Sequence, residues 1–121
     1  YRSEHVDLRG PNLEINDKTI FNYFIRLKHL DLSYVKLDYN VLPELFSELK
    51  QLDTLKLIRT KLWPSNNAFI YLPNLKELHF VGIEIPEWCS NIFAPLKSLQ
   101  KLVLGKTKSL NYEAFRQVNN K

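Results

Sequence analysis

With 121 residues, 45% hydrophobic and 25% charged, the chain is sized for one domain and too short for two ordinary ones. Its longest apolar run, Ala68 to Leu72, excludes a membrane-spanning helix in this segment, and no basic-apolar-small leader opens it. The net charge of +4 arises from lysines scattered among 13 acids with no run of like charges, which is the pattern of a solvated surface and argues against nucleic acid as partner.

Read in chain order, the sequence is an internal repeat. A degenerate first copy, Ser3/Val6/Leu8, is followed by the turn residues Gly10-Pro11-Asn12 and an apolar Leu13. Phe21-x-x-Phe24 then runs into Leu27/Leu30/Leu32, with Leu37 behind it. Leu42 to Leu49 reads as a short helix and carries Phe46-x-x-Leu49 into Leu52/Leu55/Leu57, then Leu62. After Pro64-Ser65-Asn66-Asn67 come Phe69-x-x-Leu72, the turn Pro73-Asn74, Leu75/Leu78/Phe80 and Ile85. Beyond Pro86, Phe93-x-x-Leu96 leads to Leu99/Leu102/Leu104, a late Leu110, and a second candidate helix at Asn111 to Val118. The four complete copies start 25, 23 and 24 residues apart, giving units near 3–26, 27–51, 52–74, 75–98 and 99–121 of one domain.

This phasing has a physical consequence. In Leu30-Asp31-Leu32 the leucines lie on one face of a strand and the aspartate on the other, and one copy cannot bury its own apolar face. Stacking the copies aligns about five parallel strands, packs each Leu against its equivalents, and lets the phenylalanines close the far side of the core. The product is an α/β solenoid. No capping motif covers its ends, so the array is expected to continue, or to be covered by another domain or subunit; the start at Tyr1 without Met suggests a fragment or a processed product, so the missing leader does not exclude secretion.

These phased positions resemble the leucine-rich repeat family over residues 3 to 118. The Phe-x-x-Leu-x-x-Leu-x-x-Leu-x-Leu pattern is most similar to the class found in Toll-like receptor ectodomains, while "LPNLKELHF" is also of the kind seen in plant-type intracellular immune receptors. The resemblance implies a horseshoe with its strands on the concave face and a protein ligand bound there, hence a receptor or immune-recognition role. One departure is clear. Where the family places an Asn that hydrogen-bonds the stacked turns, this chain has Pro11, Val35, Thr60, Ile83 and Thr107. Thr60 and Thr107 supply hydroxyls, whereas Val35 and Ile83 leave their turns to water or neighbouring backbone.

On that resemblance the binding residues are the outward strand positions: His5, His29, Thr54, Glu77 and Lys101 in one column, Asp7, Asp31, Lys56, His79 and Val103 in the next, then Arg9, Ser33, Ile58, Val81 and Gly105. Acids fall on the first two strands and lysines on the third and fifth, beside an apolar patch of Ile58, Val81 and Val103, a mixture that suits a protein partner. Tyr34, Tyr39 and Arg59 extend the rim. The group His5, Asp7, His29 and Asp31 has donors that zinc takes, or a pH-sensitive patch, but an ordinary solvated polar face explains it as well, so no metal or cofactor is expected.

Trp63 and Trp88, in return segments beside Pro64 and Pro86, either cap the core edge, which is favoured, or anchor a partner, and Cys89, without a basic neighbour cluster and unable to form an internal disulfide, is expected buried and inert. No phosphate loop, Gly-x-Ser-x-Gly, His-Glu-x-x-His or Cys-x-x-Cys occurs, so catalysis is not expected. Two other roles fit the same residues: a structural or assembly subunit docking through its ends or convex side, and the substrate-recognition part of a ubiquitin-ligase adaptor whose F-box lies elsewhere. A lone cysteine and the lack of any Asn-x-Ser/Thr acceptor leave extracellular and cytoplasmic locations evenly balanced.

Overall fold

The computed structural model describes residues 3–105. Strands β1 (His5–Asp7), β3 (His29–Asp31), β5 (Thr54–Lys56), β6 (Glu77–His79) and β7 (Lys101–Val103) form one parallel sheet in the order β1-β3-β5-β6-β7. A parallel pair β2 (Glu14–Ile15) and β4 (Lys36–Leu37), extended by a bridge from Lys36 to Lys61, lies on the flank where the chain leaves the main sheet. The architecture is a solenoid: five strands joined by four return segments, each strand parallel to the last. Coils one to four are taken below as 3–26, 27–51, 52–74 and 75–98.

Three-residue strands hold because each junction repeats the same two clamps. At the entry, His29, Thr54, Glu77 and Lys101 donate their N–H to Glu4, Lys28, Asp53 and Lys76 of the preceding coil at 2.8–3.0 Å. At the exit, Leu8, Leu32, Leu57 and Phe80 donate to Asp31, Lys56, His79 and Val103 of the following coil at 2.8–2.9 Å. Each inner strand therefore has both neighbours fixed in register, and each end strand its one, which a short strand alone could not achieve.

The core runs along the stack behind the sheet. Leu30, Leu32, Leu55, Leu57, Leu78 and Phe80 are at most 1% exposed, and Phe46, Phe69 and Phe93 are fully covered on the far side. Phe80 replaces Leu in the strand pattern and sits edge-on to both Phe69 and Phe93, with centroids 6.0 and 5.5 Å away, so that strand and return segments share an aromatic stack. Val6, Leu8, Leu102 and Leu104, in the end strands, are only partly buried because each end strand has one neighbour among the described residues.

Three expectations are revised. The α component is absent from the described residues: Leu42 to Leu49 contributes only a 3-10 turn at Glu44–Phe46, a second such turn covers Glu87–Cys89, and the helix expected at 111–118 lies outside the described residues, as do Leu110 and Thr107. Short returns reach the next strand without room for a stable α-helix. In coil one Leu13 is 39% exposed, and Ile15 takes its core place, paired in register with Leu37 and 3% exposed. The missing Asn positions are met in two ways. The Thr60 hydroxyl donates to the Leu32 carbonyl at 2.8 Å, while at Val35 the backbone carbonyl accepts from Lys61 N–H at 3.0 Å. No helix among the described residues is long and apolar enough to cross a membrane.

Candidate functional site: the open face of the sheet

Alternation along each strand turns one face inward to the leucines and leaves the other to solvent. Strand register places the first two predicted columns side by side, His5-His29-Thr54-Glu77-Lys101 and Asp7-Asp31-Lys56-His79-Val103, each residue the direct neighbour of the next. A shallow cleft of about 440 Å³ on this face is lined by His5, Asp7, Arg9, His29, Asp31, Thr54, Lys56 and Glu77.

The two ends of the face differ chemically. On β1 and β3 the imidazoles of His5 and His29 lie with ring centroids 5.6 Å apart at 40°. Their carboxylate neighbours are engaged locally: Asp7 accepts from Arg9 N–H at 3.1 Å and pairs with Arg9 Nε at 3.0 Å, and Asp31 accepts from Ser33 N–H at 2.9 Å. These Asx turns close the strand ends, so both aspartates shape the turn as well as charging the surface. On β6 the His79 ring donates from Nε2 to Glu77. That hydrogen bond holds the Glu77 carboxyl below its ordinary value of 4.5, against the opposing effect of burial and with help from the charges of Lys101, His79 and Lys56. Among the described residues no group of three or more His, Cys, Asp or Glu side chains is arranged to hold a metal ion.

The third column behaves differently. Ser33 is 3% exposed, and its hydroxyl oxygen accepts from Ile58 N–H at 3.2 Å, so it joins coils two and three and is not part of the open face. Ile58 and Val81 stay half-buried, as does Val103 of the second column, and Gly105 at φ +57° makes room for Val81, whose Cγ1 would lie 2.6 Å from an added Cβ. Just past the strands, Tyr34 (φ 69°) and Arg59 (φ 52°) hold the left-handed conformation that Gly82 (φ 70°) adopts at the matching place in coil four. Side chains are disfavoured there by about 1 kcal/mol, yet both remain exposed at the rim.

Elsewhere the tryptophans depart from expectation. Trp63 and Trp88 are 64% and 56% exposed, so neither seals the core edge. Cys89 is fully buried, and burial pushes its thiol up. Two features were missed in reading the sequence pattern. Asn66 spans the returns of coils three and four, donating to the Trp88 carbonyl at 3.1 Å and accepting from Asn91 N–H at 2.9 Å. On the flank a second cleft of about 550 Å³ is lined by Leu37, Tyr39, Thr60, Leu62, Trp63, Ile83, Glu84 and Pro86, among others. The exposed aromatics were its one available clue. Compared with protein-family models, curated proteins and solved structures, the chain finds no match.

Proposed function

We propose that this chain is a recognition module of the leucine-rich repeat type, the binding portion of a receptor or adaptor, and that it takes a protein partner on the open face of its sheet. In this reading that face is the concave wall of a horseshoe. The observation that carries the proposal is the in-register array itself: carboxylates and imidazoles on the first two strands, lysines on the third and fifth, and half-buried Ile58, Val81 and Val103 beside them. Rigid elements present this mixture, and a partner with complementary charges gains orientation from it. The acids Asp7, Asp31 and Glu77 on the same face repel a phosphate backbone, which favours protein over nucleic acid.

The test is a pull-down with this chain as bait, against a double variant Lys56→Glu plus Lys101→Glu checked for equal folding by circular dichroism. Asp31 is left intact because its carboxylate holds the Ser33 turn. Capture of a partner by the native chain and its loss from the variant is the expected result. Equal capture by both overturns the sheet face as the binding site.

A further inference from the structure

We infer that the flank cleft across coils two to four is a second binding site, for an extended peptide with apolar side chains on one edge and an acid and a base on the other. Two independent observations point there. The first is an interrupted backbone ladder. Lys36 N–H donates to Leu13 O at 2.9 Å, Lys61 N–H to Val35 O at 3.0 Å, and Leu37 N–H to Lys61 O at 2.7 Å. Carried one coil further, the same register calls for Glu84 N–H to Thr60 O and Leu62 N–H to Glu84 O, and among the described residues neither bond is formed. Thr60, Leu62 and Glu84 all line the cleft. The Glu84 N–H and carbonyl and the N–H of half-buried Leu62 thus have no backbone partner among the described residues and can pair with another main chain, the condition for strand addition, whereas the Thr60 carbonyl belongs to a residue only 3% exposed.

The second observation is the chemistry of the walls. Trp63 and Tyr39, 64% and 74% exposed, stand at the cleft with Leu62 and Pro86, an apolar surface that a solvated flank does not need. Charge supplies the orientation. Lys36 lies 3.9 Å from Glu14, and Asp38 accepts from Tyr39 N–H, but Lys61 and Glu84 have no ion pair among the described residues. Both are exposed, one on each of two successive coils at the cleft, and an acid and a base on the bound peptide complement them. Alternate side chains of an extended peptide point to opposite edges, so one such segment meets both demands.

The experiment is an array of blocked octapeptides in which apolar residues alternate with Glu and Lys, read by fluorescence of the intact chain and by amide chemical shifts at Leu62, Trp63, Glu84 and Ile85. Binding is expected from a subset of the array, with those amides shifted. Trp63→Ala and Lys61→Glu, both at exposed positions that leave the core intact, should each weaken it at least about tenfold. Main-chain N-methylation of the best peptide should abolish binding. Absence of binding across the array overturns the site. Binding indifferent to N-methylation also overturns it, because the cleft would then be a simple apolar recess for small molecules. Shifts confined to the sheet face would assign the peptide to the other surface and likewise overturn the inference.

Discussion

The sheet side and the flank side of the solenoid are built from the same coils, yet only one is regular. On the sheet, entry and exit clamps recur at all four junctions with lengths within 0.2 Å of one another, 2.8–3.0 Å. On the flank the ladder joins coils one to three and stops before coil four. The difference lies in what enforces register. Behind the sheet each of the three inner strands, with the residue just past it, has two fully covered apolar side chains whose slippage would expose them, whereas on the flank Leu62 of coil three is only half-buried. Pro64 and Pro86, which lack an N–H, follow directly and end any further pairing in coils three and four.

The largest effect that would sharpen this contrast is core truncation. Leu55→Ala on the sheet side should cost about 2–5 kcal/mol in urea unfolding, and Leu62→Ala on the flank less than about 2 kcal/mol. Equal costs would erase the distinction. Thr60→Val comes next, since it deprives the buried Leu32 carbonyl of the 2.8 Å hydroxyl donor that ties coil three to coil two. A loss of about 1–2 kcal/mol is expected, and a neutral result would mean that this contact adds nothing to coil register. Arg59→Gly should act in the opposite direction, raising the unfolding midpoint by a gain below about 1 kcal/mol as left-handed strain is relieved.

The smallest effect is electrostatic. Glu77 has a lowered pKa in the folded chain, so its stabilising contribution is complete above the ordinary 4.5 and is lost as pH falls through the folded value. Urea midpoints of native and Glu77→Gln chains should differ at neutral pH and converge as pH drops below 4.5. A gap that stays constant with pH would show that the His79 contact does not bias this carboxyl.

The strand register was readable in the sequence because Leu-x-Leu alternation admits one stacking, and the sheet follows it at every copy. The first coil was not, because Leu13 and Ile15 are both apolar and two residues apart, so a strand accepts either on its inner face. Of the site, the two columns were legible from alternation, but Ser33 was not: a small hydroxyl outside the strand looks like surface until its backbone partner at Ile58 is known. The tryptophans misled for a related reason. Hydrophobicity gives the area a side chain offers, and only packing decides whether that area is covered, as it is at Leu72 and Phe93 and is not at either tryptophan.

Asn66 gives the interrupted junction a mechanical character. It crosses from coil three to coil four on the return side, while the sheet clamps cross on the strand side, so the two coils are pinned along two lines with the flank left unpinned. At this junction the flank is therefore the edge with the fewest ties, and strain that parted coil four from coil three would open it there before the sheet or the returns.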